Sequence, residues 1–466
     1  MEFDLKIENG VLYTGREKKE ADIGVSEGKI KEISADLEGE GERTVDATGC
    51  QVLPGAVDPH VHFNLELPLL GETSRDDYIT GARAAARGGL TMVIDYSEQQ
   101  EGEGLLPGIK RKISEEMEGK SCIDYSVHGC VYHWDEEILD EMEELVKRGF
   151  PTVKMFMIYS EEGWRAPEPA LFEALGKAGE IGATICVHCE NDDLLQHFTE
   201  KEARRSERGD VSALARSRPP IVEASAISRA VELCESASGR LYVVHISTAA
   251  GARAVRDGRR NGVQVFGETT PQFLTLTEEL FQREDGHLFA ASPPLKTKED
   301  NESLWRGLKS EEISVVGTDN CTFSRRQKDC WEGDFRKIPR GLPGCETMFP
   351  LLYTYGYRRR NFSLNKLVRI TSTNAARIHG MYPQKGTLRE GTDADILVID
   401  PEKSEVIQPE QMVTDIDWSP YEGKRLYGFP EYTICRGKIL VEEGQLRDDI
   451  EGHGQLVERA PNGKLR

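Results

Sequence analysis

Two histidines one residue apart, in the run Asp58-Pro59-His60-Val61-His62, are the first groups in the chain with the makings of a metal site. Residues i and i+2 of a strand face the same way, so His60 and His62 would leave one face together. Alone, an H-x-H pair is a weak signal. It gains weight from Lys154 in VKMFM, His188 in TICVHCE, His245 in LYVVHIS and Asp319 in VVGTD. Each of these also has an ordinary reading. A histidine at a strand end is commonly a hydrogen-bonded core residue, a lysine within a strand can sit at an edge, and Asp319 can cap the next helix or loop. The elements that carry the six residues decide between the readings.

The middle of the chain alternates strand and helix. Eight apolar runs read as strands: QVLPGAVDPHVHF, LTMVIDYS, CIDYSVHGCVY, PTVKMFMIY, TICVHCE, LYVVHIS, VQVFGETT and ISVVGTD. Between them lie helical runs such as RDDYITGARAAARGG, PALFEALGKAGEIG and EASAISRAVELCESASG. Near-continuous apolar strands separated by amphipathic helices predict a parallel (β/α)8 barrel of the TIM type with its helices outside. An open doubly wound sheet is the rival arrangement. The polar residues favour the barrel, because they cluster at the C-terminal halves of several strands, where barrel active sites are built. Four of the ten histidines fall there. His128, His133, His197, His287, His379 and His453 show no such convergence and read as structural or surface residues. Short alternating strands return at both ends, in FDLKIENGVLY and DIGVSEGKIKEIS and again in ADILVID and EYTICRGKILVEEG. Chain ends often lie close together, so residues 1–53 and 384–466 are expected to form a flanking β-sandwich around a barrel of residues 54–383.

Composition narrows the function classes. The chain has 466 residues and a net charge of −22, with no basic tract. Nucleic acid and anionic lipid, which reward clustered Lys and Arg, are therefore poor partners. No stretch approaches the roughly 20 apolar residues of a membrane span. The opening MEFDLKIENG lacks the profile of a signal peptide, which makes a cytoplasmic location the expectation. Ten cysteines in a long chain without a secretion signal do not suggest a disulfide framework. Cys186 and Cys189 form a C-x-x-C, yet strand alternation sends them to opposite faces, so they read as core-filling residues.

The motif series LPGAVDPHVHF, VKMFMIY, CVHCEN, VVHIST, ASPPLK and GTDNCTFS runs in order over nearly the whole chain. It resembles the dihydropyrimidinase and hydantoinase branch of the amidohydrolases. The resemblance implies two divalent metal ions, usually zinc, with manganese or cobalt suited to the same ligands. His60, His62 and Asp319 would bind one ion and His188 and His245 the other. Lys154 would bridge them after carboxylation by carbon dioxide. Chemistry agrees with that role: burial and nearby cations favour the neutral amine, which can add carbon dioxide to become an anionic carbamate with two oxygens. The implied reaction is hydrolysis of a cyclic amide, a hydantoin or dihydropyrimidine, to an N-carbamoyl amino acid by water activated at the metal pair. Asp319 would move the proton, Tyr159 would steady the tetrahedral oxygen, and Ser292 would hold the ring. A homotetramer is also implied.

The resemblance has departures. In IPRGLPGCE, Arg340 stands where hydantoinases commonly carry asparagine; the resemblance implies chiefly main-chain contacts there, which survive the change, while a fixed guanidinium at a pocket rim can pair with an acidic substituent. The loop after His62 carries Leu65, Leu67, Leu69 and Leu70, which by resemblance gate an apolar exocyclic group; packing against a neighbouring subunit explains the same leucines. HVHFN is similar to allantoinases and GLPGCETMFPLLYTYG to dihydroorotases. Asn64 stands where a dihydroorotase carries arginine, and the MFMIY after Lys154 with its tyrosine speaks against an allantoinase. Non-catalytic relatives of this fold have lost metal ligands, whereas all six are present here.

Overall fold

The structure is a computed structural model in which residues 2–67 and 71–461 are described. Eight parallel strands neighbour one another in chain order: β1 (Ala56–Val61), β2 (Leu90–Tyr96), β3 (Asp124–Cys130), β4 (Thr152–Phe156), β5 (Thr184–His188), β6 (Leu241–Val243), β7 (Val265–Thr269) and β8 (Val315–Val316). Every residue of these strands is buried, as expected for strands covered by side-chain layers on one face and helices on the other. The cylinder is closed just beyond β8. There Asp319 N–H donates to the His60 carbonyl at 2.8 Å, His62 N–H donates to the Asn320 carbonyl at 2.8 Å, and Val61 bridges Asn320 in parallel. This closure rules out the open sheet.

Helices return the chain between strands, among them Thr80–Arg87, Ile138–Lys147, Glu168–Ile181, Pro220–Ser236, Ala249–Arg260 and Lys298–Lys309. Their boundaries reflect local chemistry. Thr297 and Asp300 form a reciprocal capping box at the start of Lys298–Lys309. Gly182, at φ 75°, ends Glu168–Ile181 in the left-handed region that glycine enters without cost. Val57, Met92, Ile94, Cys186, Tyr242 and Val315 pack together within the barrel, while Cys189 joins the layer between strands and helices. Both cysteines are free and buried, so they fill core.

The two ends of the chain do combine. Ile396–Ile399 pairs antiparallel with Gln51–Pro54 inside a seven-stranded sheet, and a four-stranded sheet built from residues 2–46 packs nearby. Leu5, Val25 and Val52 share one core with Ile396 and Ile434. At the N-terminal base of the barrel, Lys385 is fully buried with Asp393 at 3.0 Å, Asp395 at 2.8 Å and Asp124 closer still; Arg436 adds a second cation 2.9 Å from Asp124. This network ties β3 to the flanking sheets. Asp124, Asp395 and Cys435 have the spacing of metal ligands, but the Lys385 ammonium already satisfies these carboxylates.

Candidate metal centre and its surroundings

The carboxyl ends of the strands gather the six residues singled out from sequence. β1 supplies His60 and, one residue past its end, His62; the chain leaving β8 supplies Asp319. His60 Nε2 lies 3.2 Å and His62 Nε2 3.4 Å from Asp319 Oδ1, so three ligand atoms meet in one small space. Across the mouth, His188 Nδ1 and His245 Nε2 are 3.0 Å apart. The rings of His60 and His245 are 5.5 Å between centroids, so the two groups adjoin. Lys154 is buried in β4, its ammonium 5.0 Å from the Tyr96 ring and 5.5 Å from the Phe156 ring. Tyr96 packs 5.0 Å from His60, and Phe156 lies 6.4 Å from His188. The lysine nitrogen thus packs on rings that adjoin both histidine groups, and His188 and His245 feel its charge.

Three positions leave regular strand geometry to achieve this. His245 has φ 39°, Asp319 φ 54° and Tyr159 φ 73°, left-handed values that cost a side-chain-bearing residue on the order of 1 kcal/mol or more. Each is held by a specific bond. The Glu268 carboxylate accepts from His245 N–H at 3.0 Å, the His60 carbonyl accepts from Asp319 N–H, and Asp192 accepts from Tyr159 N–H at 3.1 Å. Asp319 does not take the capping role open to it in the sequence; its carboxylate faces His60 and His62 instead.

Glu268 is the organising acid. It is fully buried at the end of β7, and Oε1 accepts from both His60 Nδ1, at 2.7 Å, and His245 N–H, while Oε2 accepts from Tyr242 OH at 2.8 Å. A ring whose Nδ1–H is committed to a carboxylate presents Nε2 outward as a ligand. Asp58, raised to about 7 chiefly by burial, accepts from the backbone N–H of His60 at 3.1 Å and of Thr318 at 3.0 Å, pinning β1 to β8. Burial lowers His62 and His188, and lowers His245 further, so these rings stand neutral and able to donate a lone pair. Burial also lowers Lys154, the direction an amine needs to react with carbon dioxide. Burial opposes charge on His60 too, but Glu268 and Asp319 outweigh it and raise the ring to about 9. Burial opposes ionisation of Asp319, but His60 above all, with His62 and His245, holds its carboxyl well below the usual range.

A family model described as Amidohydrolase family matches residues 51–440. The chain belongs to that family. It is 36% identical over 463 residues to a D-hydantoinase of Geobacillus stearothermophilus, covering 98% of this chain and 97% of the relative. A D-hydantoinase of Ralstonia pickettii is 35% identical, with 95% and 96% covered. The crystal structure of a dihydropyrimidinase from Brevibacillus agri NCHU1002 superposes with a TM-score of 0.95 at 34% identity, covering 99% of each chain. Within the amidohydrolases the chain thus lies in the hydantoinase branch.

The residues fit the metal pair this family implies. His60 Nε2 is buried without a hydrogen-bond partner, although it points at Asp319. Two neutral imidazole nitrogens, on His188 and His245, face each other at 3.0 Å. Lys154 Nζ has no hydrogen bond or ion pair among the described residues. A buried polar atom left unpaired, as His60 Nε2 is, is costly unless something else satisfies it.

Beside the centre, Tyr159 OH lies 2.9 Å from Ser292 Oγ, which also accepts from Arg218 Nη1 at 2.8 Å. Arg218 is buried and pairs with Glu190 at 2.6 Å, and Glu190 in turn accepts from His188 Nε2 at 2.7 Å. Burial raises the Tyr159 hydroxyl, keeping it protonated. Arg340 lies close enough to feel the charges of Arg218 and Glu190. Reading the sequence does not single out Glu190, Arg218, Glu268 or Asp58. Glu190 and Glu268 carry a readable signal, an acid at the end of an apolar strand; Arg218 lies in a loop with no periodicity to mark it. Leu65 is half-buried, and Leu67 lies in a hairpin strand, Glu66–Leu67, paired with Glu72–Thr73. Leu69 and Leu70 lie outside the described residues. Among the histidines set aside, His128 bonds Thr152 Oγ1 and the Pro59 carbonyl, a structural role.

Proposed function

We propose that this chain is a metal-dependent cyclic amidase that opens a hydantoin or dihydropyrimidine ring to an N-carbamoyl amino acid. The supporting observation is the meeting of His60, His62, Lys154, His188, His245 and Asp319 at one barrel mouth in a chain 36% identical to a D-hydantoinase. His60, His62 and Asp319 would hold one divalent ion and His188 and His245 the other. That second pair is one ligand short, and carboxylated Lys154 would complete it while bridging to the first. Zinc suits these ligands, with manganese or cobalt as alternatives. The ions supply Lewis acidity and lower the pKa of water.

The chain's own groups do the rest. Asp319, ionised, accepts the proton of the attacking water as the water oxygen adds to a ring carbonyl carbon. Tyr159, protonated, donates to the oxygen on which negative charge develops. The ring carbon–nitrogen bond then breaks, Asp319 returns the proton to the departing nitrogen, and the former carbonyl carbon becomes a carboxylic acid that gives up its remaining proton to solvent. Ser292, fixed by Tyr159 and Arg218, lies where a ring would be oriented, and Arg340 lines the same side. The proposal includes a cytoplasmic homotetramer divided at residues 1–53, 54–383 and 384–466. No helix among the described residues is long and apolar enough to cross a membrane, and a net charge of −22 suits neither nucleic acid nor anionic lipid as partner.

Dihydrouracil, hydantoin, phenylhydantoin, allantoin and dihydroorotate, assayed with zinc and bicarbonate, test the reading. Opening of the first three supports it; hydrolysis of allantoin and dihydroorotate alone overturns it.

A further inference from the structure

Arg340 stands on a segment wedged between two walls of the mouth. Gly341 N–H donates to the Ala290 carbonyl at 3.0 Å, two residues before Ser292, and Leu342 bridges Asn320, the residue after Asp319. Buried Lys328 fastens the same segment by donating to the carbonyls of Pro339, at 2.7 Å, and Ala290, at 2.9 Å. The backbone under Arg340 is therefore fixed relative to both Ser292 and Asp319.

The guanidinium on this platform is not neutralised. Arg340 Nε is sealed from solvent with no hydrogen-bond partner, and Nη2 makes only a long 3.4 Å bond to the Arg336 carbonyl. No carboxylate lies within ion-pair distance of it among the described residues, in a chain with 81 acidic groups. The charged and titratable groups that act on it are Arg218, Tyr159, Glu190 and Glu162, with Lys328 a further basic group nearby. Arg218 repels it, and Glu190 is already committed to Arg218 and His188. Burial and Arg218 lower Arg340 to about 10, which leaves it cationic at neutral pH. One unmatched positive charge thus remains beside the Tyr159–Ser292 pair. A partly desolvated guanidinium of this kind favours a bidentate carboxylate.

We infer that Arg340 recognises a carboxylate on the exocyclic arm of the ring substrate, so that the preferred substrates are acidic 5-substituted hydantoins and the products N-carbamoyl derivatives of acidic amino acids. This rests on the cyclic-amidase reading above. The matched probes are hydantoin-5-acetate and hydantoin-5-acetamide, alike in shape and different in charge, with unsubstituted hydantoin as the control for ring opening. The wild-type enzyme should favour the acetate over the acetamide in kcat/KM by on the order of tenfold to a hundredfold, mostly through KM. In Arg340→Gln that ratio should fall to near one, and in Arg340→Lys, which keeps the charge but loses the fork, to an intermediate value. Glu162→Gln should keep or raise it, since Glu162 is the one nearby acid free to compete. A wild-type ratio near one with hydantoin still opened removes the carboxylate proposal alone, as does an unchanged ratio in Arg340→Gln. If Arg340→Gln fails to fold, an unchanged ratio in Arg340→Lys counts against it equally. No turnover of any ring removes the amidase reading, and this proposal with it.

Discussion

Replacing Glu268 by Gln isolates the one buried charge on which the centre is built. All three partners of this carboxylate are donors: His60 Nδ1, the His245 N–H and Tyr242 OH. A glutamine with its oxygen at the Oε1 position keeps the first two bonds and turns its amide toward Tyr242, whose hydroxyl can accept instead. Shape and hydrogen bonding survive while the charge is lost. His60, raised to about 9 largely by Glu268 and Asp319 against the pull of burial, becomes a less basic ligand. Loss of such a partner typically costs 10–100-fold in metal affinity, about 1.4 to 2.7 kcal/mol. Glu268→Ala should cost more, because His60 Nδ1, the His245 N–H and Tyr242 OH would all lose their buried acceptor, at about 1 to 3 kcal/mol each. Metal retained after dialysis against graded chelator reads the affinity, kcat/KM on hydantoin reads the consequence, and thermal unfolding of the stripped proteins separates folding from binding. Should Glu268→Gln hold zinc within threefold of wild type while Glu268→Ala does the same, Glu268 does not tune the ligands and the reasoning fails.

Tyr159→Phe should lower kcat by about a hundredfold to a thousandfold with little change in KM, as expected of a donor to developing charge; a loss confined to KM would make Tyr159 a binding residue only. Protein stripped of metal in degassed buffer should regain activity with zinc only when bicarbonate is also supplied, because Lys154 must become a carbamate; equal recovery without bicarbonate, or full activity in Lys154→Ala, would refute the bridging role. Lys385→Met should destabilise the fold by about 3 to 5 kcal/mol in urea titrations by leaving Asp124 with only Arg436, Asp393 with only the half-exposed Lys29, and Asp395 with no direct cation partner among the described residues, while activity per folded molecule stays near wild type; a cost below about 1 kcal/mol would show the network to be inert.

How far the chain can be read from its residues depends on which physical signal carries each part. The eight strands are legible because burial on both faces demands uninterrupted apolar runs, as in LTMVIDY, and the six ligand candidates because polar groups at the ends of such runs stand out. What escapes is conformation at the points where strands stop. His62, His245 and Asp319 all lie past their strand ends, and His245 and Asp319 take left-handed backbone just where the ligands must turn inward. Periodicity carries no trace of such a turn. Nor does it reveal Arg218, whose role comes from a pairing with Glu190, 28 residues away in the chain, that only the folded barrel creates.

The barrel separates the demands of stability from those of chemistry by placing them at opposite ends. At the base, charges are matched and sealed. Lys385 meets three carboxylates, and the C-terminal segment runs against β3, with Val457 N–H donating to the Tyr125 carbonyl at 2.8 Å and Arg459 to Ser126 Oγ at 2.9 Å. At the mouth the balance is reversed: His60 Nε2 lacks a hydrogen-bond partner, Lys154 Nζ faces aromatic rings, and Arg340 faces no carboxylate within reach among the described residues. These deficits are tolerable because the eight strands and the base supply the cohesion that the mouth gives up. A site whose groups were already satisfied by one another would have nothing left with which to bind ions or a substrate. The unmet hydrogen bonds and the unmatched charge at the mouth are thus the part of the structure that function requires to be incomplete.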